Sequence, residues 1–153
     1  MRNALIQYTI ASFSIGNHFM SLGSWDPAAD SAAHELTPDA ATLRRLIDYS
    51  RNEQLTQLEQ LIHGDDKQVL AGLMQIEHSA WRAASQTLDE DELLHLLRFF
   101  AVAENLPGWE AGAKSPVIPL AKTLRERGVR LDKTLLQWLR EVNDNRFLPY
   151  GPL

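Results

Sequence analysis

The segment 105–115, NLPGWEAGAKS, carries the residue types in this chain that are best suited to chemistry. Its last eight residues differ at one position from the phosphate-binding pattern G-x-x-x-x-G-K-[ST], with Ala113 in place of the second glycine. That glycine lets backbone N–H groups wrap around phosphates, and the pattern also requires a preceding strand. Because the preceding residues have helical spacing, nucleotide hydrolysis is disfavoured. Lys114 and Ser115 open a predicted helix, whose free amides favour a small anionic ligand or a carboxylate.

The same segment and the C-terminal tail together form a candidate binding surface. Long irregular segments are often functional, and aromatic residues within them either pack onto the core or contact a partner. The tail after Val142, NDNRFLPYGPL, is apolar for a free terminus, so packing back onto the domain is favoured there. Arg146 is suited to holding a carboxylate. The candidate binding residues are Trp109, Glu110, Lys114, Arg146, Phe147 and Tyr150.

Histidines and acids give a weaker signal. The pairs His34-Glu35 and Glu77-His78 are adjacent in sequence and point to different sides of a helix, so no metal site is expected. Asp91, His95 and Arg98 form a polar stripe at i, i+4 and i+7. An interhelical ion pair or hydrogen-bonded rim is favoured there over a proton-transfer or anion site, because no nucleophile is identified. Spacing alone supports no Ser/His/Asp arrangement and no cofactor.

Charge and cysteine content exclude several classes of function. The chain has 153 residues and a formal net charge of -5, which gives no basic footprint for nucleic acid. The absence of cysteine excludes disulfides, thiolate catalysis and cysteine metal sites. We therefore expect an acidic, cytoplasmic protein whose fold is held by packing alone.

The N-terminal segment, residues 1–36, has no defined fold signal. Residues 3–25 contain no Asp, Glu, Lys or Arg, but seven polar residues between Gln7 and Ser21 interrupt this stretch and disfavour a membrane span. A strand, a helix and a weak secretory signal all fit parts of it. A further hypothesis is that natural translation starts at Met20 rather than Met1.

Helical spacing covers the chain from Thr37 onward and predicts a single all-α domain over residues 37–153. Starts are indicated by capping residues with prolines or acids behind them, and ends by glycines. The predicted starts are Thr37-Pro38, Asp65, Thr87, Ser115-Pro116 and Asp132; Gly64 and Gly128 are predicted ends. About six helices result, arranged as antiparallel hairpins over 38–63, 66–104 and 116–142. A compact orthogonal bundle and a short α-solenoid both fit this pattern.

The helix predicted to follow the cap at Thr87 is apolar almost all round over residues 93–103, so it is expected to be central, with Leu97 and Phe100 buried. Two functions are consistent with the sequence. The favoured one is a non-catalytic protein-interaction or adaptor protein that uses segment 105–115 and the tail. The alternative is a small-molecule or anion-binding domain, with Glu110 as acid/base and Lys114 with Arg146 as anion holders.

Overall fold

Seven α-helices make up the described part of the chain, residues 37–148 of the computed structural model. They are α1 (Ala40–Arg51), α2 (Leu58–Leu61), α3 (Gly64–Ala71), α4 (His78–Ser85), α5 (Glu90–Ala103), α6 (Val117–Glu126) and α7 (Lys133–Val142). Three 3₁₀ turns lie between them, at Leu55–Gln57, Gly72–Gln75 and Gly112–Lys114. No strand occurs over 37–148, and the all-α prediction of about six helices is confirmed.

Three groups of predictions fall outside the described residues. They are the alternatives for the N-terminal segment 1–36, the start at Met1 or Met20, and the role of Tyr150. The domain boundary at residue 37 stays a prediction. Residues 37–148 belong to one compact unit, Leu36–Leu153.

Helix α5 is the centre of this unit. It packs against α1, α6 and α7, while α4 packs against α6. A capping box starts α5: Asp89 accepts from the backbone N–H of Glu92, whose carboxylate accepts from the N–H of Asp89. Leu97 and Phe100 are 0% exposed, as predicted. The apolar faces of this helix are buried because other helices surround it.

The predicted third helix is wrong as one continuous element. The chain leaves α3 at Gly72, makes a 3₁₀ turn, and is extended at Ile76 before α4, whose N-cap position is occupied by Glu77. Residues two apart lie on different sides of a helix, so a straight helix would expose either Met74 or Ile76. The break buries both side chains.

Three helix starts differ from prediction by one turn or less. His63 rather than Asp65 is the N-cap residue of α3, and Gly64, predicted as a helix end, is the first residue of this helix. Asp39 rather than Thr37 caps α1, accepting from the backbone N–H of Thr42 at 2.8 Å. Asp89 rather than Thr87 caps α5. The predicted cap at Asp132 is confirmed, since its carboxylate accepts from the N–H of Leu135 at 2.7 Å. At Asp39, Asp89 and Asp132 a carboxylate satisfies a backbone donor that the first helical turn leaves free.

Candidate functional site

Segment 105–115 and the tail residues 143–148 lie against each other. The side-chain amide of Asn105 donates to the carbonyl oxygen of Val142 at 2.6 Å. The side-chain amide of Asn145 donates to the carbonyl oxygen of Gly112 at 2.9 Å. These bonds join residues more than thirty positions apart in sequence. The two irregular segments therefore present one continuous region, which we call the loop–tail surface.

A buried carboxyl lies beneath this surface. Glu104, directly after α5, is 5% exposed. The side-chain amides of Asn143 and Asn145 donate to its Oε2 at 3.0 and 3.3 Å, and the Ser115 hydroxyl donates to its Oε1. Asn143 also donates to the carbonyl oxygen of Ala101 at 2.8 Å. The cluster thus ties the end of α5 to the start of α6 and to the tail.

Burial and uncharged hydrogen-bond donors set the electrostatics of Glu104 among the described residues. Removal from water raises the pKa of this carboxyl, because burial penalises the charged form. The hydrogen bonds from Ser115, Asn143 and Asn145 act in the opposite direction, and burial outweighs them. No charged side chain of the described residues contributes to the shift.

Sequence reasoning missed Glu104, Asn143 and Asn145, although it singled out Ser115. The expectation was that the start of the helix at Ser115 favours an anion, and the carboxyl that meets this hydroxyl is the chain's own Glu104. Ser115 Oγ also accepts from the backbone N–H of Val117 at 3.2 Å. One sequence feature could have indicated Glu104: it ends the mostly apolar run LLHLLRFFAVAE. A carboxyl at the end of such a run is expected to be buried and to need hydrogen-bond donors.

Trp109 does not belong to the exposed part of this surface. Its side chain is 1% exposed and meets the Phe99 ring edge to face, with centroids 6.4 Å apart. The expectation that Trp109 contacts a partner is corrected here: the large apolar ring gains more by joining the aromatic cluster of α5 than by facing water. The buried Trp109 side chain therefore anchors segment 105–115 to the hydrophobic core.

Four other candidate residues are exposed. Lys114 Nζ lies 3.4 Å from Glu77 Oε1, and more than half of each side chain is accessible to solvent. The Arg146 guanidinium lies over the Phe147 ring, with Cζ 4.9 Å from the centroid. Phe147 is 46% exposed, which is unusual for a phenyl ring. Glu110 is exposed as well.

Two residues of the polar stripe on α5, Asp91 and His95, form hydrogen bonds with the C-terminal end of α1. Ser50 Oγ lies 2.9 Å from His95 Nδ1, while Arg51 donates to Asp91 at 2.8 Å. Asp91 Oδ1 is 3.6 Å from His95 Nε2. Burial lowers the pKa of His95; Asp91 opposes this, whereas Arg51 and Arg98 add to it. The interhelical pairing expected from the sequence is thus present.

Ser50, Asp91 and His95 have the residue types of a hydrolytic triad, but the surrounding backbone does not suit acyl transfer. An oxyanion needs free N–H donors beside the nucleophile. The amides of Asn52, Glu53 and Gln54, which follow Ser50, all donate to carbonyl oxygens of α1. Ser50 itself is 7% exposed. The geometry therefore describes a hydrogen-bonded link between helices.

A shallow hollow lies away from the loop–tail surface, between α5 and the start of α7. Its volume is about 210 Å³, and it is lined by Arg98, Asp132, Thr134, Leu135 and Trp138. The Arg98 guanidinium lies 6.0 Å from the centroid of the Trp138 ring. Asp132 is committed to capping α7. Glu110, Lys114 and Arg146, the residues proposed for a small-molecule site, do not line this hollow.

No family model, curated protein or solved structure matches this chain. Within residues 37–148, no group of three or more His, Asp or Glu side chains is arranged to hold a metal ion. No helix in that range is long and apolar enough to cross a membrane. Function is therefore inferred from the residues themselves.

Proposed function

We propose that this chain is a non-catalytic protein-interaction domain that binds its partner through Glu110, Lys114, Arg146 and Phe147 on the loop–tail surface. The observation that carries the proposal is the exposed Phe147 ring beneath the Arg146 guanidinium. Phenylalanine and arginine are both enriched in protein–protein interfaces relative to the rest of the protein surface. A cytoplasmic location is part of the proposal.

Anchoring of the surface supports this role. Asn145, two residues before Phe147, donates to Gly112 and to Glu104, and its Oδ1 accepts from the Phe147 backbone N–H at 3.1 Å. Leu148, the residue after Phe147, is 5% exposed. Phe147 is thus held between two fixed neighbours. A segment whose backbone is already fixed loses less conformational entropy when it binds, so more of the burial of Phe147 appears as affinity.

The alternative, a small-molecule or anion site at the same segment, has less support. Ser115 already donates to Glu104, and Lys114 already faces Glu77. The hollow on α5 lies elsewhere and is smaller than the roughly 300–1,000 Å³ usual for ligand pockets. No observation on the described residues favours an acid/base reaction at Glu110.

Site-specific photocross-linking in the native cell tests the proposal. The photoreactive analogue p-benzoylphenylalanine replaces Phe147 in one variant and Val69 in a matched control. Val69 is 74% exposed and lies on α3, outside the loop–tail surface. We expect a discrete cross-linked protein from position 147 that is absent from position 69. Its yield should fall when Arg146→Ala is added.

The proposal is contradicted if position 147 gives no discrete product, or if both positions give the same products. Neither position is buried, so both variants are expected to fold. Circular dichroism and thermal unfolding of each purified variant check this. A product whose yield is unaffected by Arg146→Ala would remove the arginine from the binding surface.

A further inference from the structure

The hollow between α5 and the start of α7 combines apolar and polar groups in a space that fits one side chain. Its volume is about 210 Å³. A cavity of roughly 150 Å³ accommodates benzene, so a single aromatic or aliphatic side chain fits here, whereas most small-molecule sites are larger. Leu135, which is 7% exposed, and the half-buried Trp138 supply the apolar part of the lining. Arg98, Asp132 and Thr134 supply the polar part.

Arg98 is a cation at this hollow that has no carboxylate partner among residues 37–148. Its guanidinium lies 6.0 Å from the centroid of the Trp138 ring and forms no ion pair within that range. Asp91, seven positions earlier on α5, is bonded by Arg51 instead. Attraction to the ring holds the guanidinium beside the hollow and leaves N–H donors for a carboxylate, which an arginine can bind through two parallel bonds. The hollow therefore favours a ligand with a carboxylate.

The charge of the neighbouring chain also favours an anion. Residues 122–133, which reach the hollow at Asp132, contain five basic and two acidic residues, in a chain whose formal net charge is -5. Lys133, directly after Asp132, is exposed and enters no ion pair with the residues that the structure describes. A local excess of positive charge beside the hollow attracts a negatively charged ligand.

Asp132 limits the kind of carboxylate that fits. One of its carboxylate oxygens accepts from the Leu135 backbone N–H, and the other has no partner over 37–148. This second oxygen repels a ligand carboxylate but can accept from an N–H group. A ligand that satisfies both Arg98 and Asp132 therefore carries a carboxylate and an N–H close together. The C-terminal residue of a polypeptide has both groups and its side chain on one carbon, whereas a simple organic acid lacks the N–H donor.

We propose that this hollow is a second binding site, which takes the C-terminal residue of a partner polypeptide when that residue is apolar. Arg98 binds the terminal carboxylate, and Asp132 accepts from the backbone N–H of the same residue. Leu135 and Trp138 contact its side chain. The site does not rest on the proposed function, because no residue of the loop–tail surface lines the hollow.

NMR titration of the full chain with short peptides tests the site. The probe is N-acetyl-Ala-Ala-Phe with a free carboxylate; the same peptide ending in a carboxamide and N-acetyl-Ala-Ala-Gly are its controls. The indole N–H of Trp138 and the backbone N–H of Leu135 report binding. We expect saturable shifts of both with the probe, and binding at least about tenfold weaker for the carboxamide, which loses the charge-assisted bonds. The glycine peptide should also bind more weakly, because it lacks the ring.

A second pair of probes separates a polypeptide terminus from a free organic acid. N-acetylphenylalanine and 3-phenylpropionate share the ring and the carboxylate, and only the former has an amide N–H. We expect N-acetylphenylalanine to bind at least about threefold more tightly, as one additional hydrogen bond allows. Equal binding of the two acids would overturn the assignment to a polypeptide terminus.

Arg98→Gln tests the carboxylate contact. In this variant the free-acid and carboxamide peptides should bind within about twofold of each other, because the group that distinguishes them is gone. Arg125→Gln, a matched change at an exposed arginine of α6 that does not line the hollow, should keep the parent's preference. Arg98 is exposed, so the variant is expected to fold, and thermal unfolding checks this.

The peptide comparison on the parent chain needs no variant, so it decides the proposal even if Arg98→Gln does not fold. Equal affinity of the parent for the carboxylate and carboxamide peptides, or shifts that do not saturate, would overturn the second site. A preference for the carboxylate that persists in folded Arg98→Gln would overturn it as well. Peptide binding here without a cross-link at position 147 would contradict only the proposed function.

Discussion

Trp109 and Phe147 show how differently two aromatic residues of the same region behave. Trp109 is 1% exposed and contacts the aromatic cluster of α5, whereas Phe147 is 46% exposed. Both lie in irregular sequence with glycine, proline or asparagine nearby. Their composition therefore could not separate the residue that stabilises the fold from the residue that is available to a partner.

Truncation should separate the two roles. Trp109→Ala is expected to lower the free energy of unfolding by about 3–5 kcal/mol, because it removes a buried ring and leaves a cavity. Phe147→Ala is expected to change it by less than about 1 kcal/mol, as for exposed positions generally. Urea unfolding of both variants measures this. Equal losses would mean that Phe147 is part of the core or that Trp109 is not.

His95 should make stability depend on pH in a defined direction. Its pKa is lowered in the folded state by burial, so the unfolded chain binds the proton more readily. The stability linked to neutral His95 is present above its ordinary pKa of about 6.5 and is lost as pH falls below it.

His95→Asn keeps a polar atom near Ser50 and has no proton to gain in this range. The difference in unfolding free energy between parent and variant should therefore shrink from pH 7 to pH 5. His63→Asn, at an exposed histidine before α3, serves as the control and should keep the parent's profile. A parent-to-variant difference that is constant with pH would contradict the assignment. Measuring this difference removes the opposite contribution of Glu104, whose raised pKa makes stability fall as pH rises.

Among the helices, α5 was the element best predicted from sequence. Its acidic first turn and continuous apolar residues indicate a capped, surrounded helix, and both features are local in sequence. Residues 66–86 were predicted poorly for the opposite reason. The break after Ala71 depends on burying Met74 and Ile76 together, which is a tertiary requirement that local spacing does not contain.

Removing one ring from α5 tests its central position. Phe100 is 0% exposed and meets the Trp81 ring edge to face at 5.0 Å between centroids. Phe100→Ala should lower the free energy of unfolding by about 3–5 kcal/mol, through lost burial and an unfilled cavity. Denaturant unfolding gives the value directly. A loss below about 1 kcal/mol would place α5 at the periphery.

For the molecule as a whole, the sequence indicated where the loop–tail surface lies but not the polar residues that hold it together. Irregularity and aromatic content selected both segment 105–115 and the tail, and the structure brings the two together. The groups that join them were not foreseen, because Glu104 and Asn145 are 41 positions apart and each is unremarkable locally. Long-range pairing of single polar residues leaves no periodic signal in a sequence.

Stability and binding are expected to reside in different residues of this unit. The aromatic cluster around α5 holds the fold, the Glu104 cluster holds segment and tail together, and the exposed residues above it remain for a partner. Changes at the exposed residues should therefore alter affinity without altering the fold. This separation is the central claim of the proposed function.

The affinity of a double variant for the protein cross-linked at position 147 tests that claim most directly. Arg146→Ala with Phe147→Ala should weaken binding at least about tenfold, equivalent to about 1.4 kcal/mol, while the unfolding midpoint stays within about 2 °C of the parent's. The matched control, Lys67→Ala with Val69→Ala, removes a base and an accessible apolar residue from α3 and should bind like the parent. Calorimetric titration gives the affinities. Unchanged binding by the folded double variant, or equal weakening by the control, would contradict the separation of binding from stability.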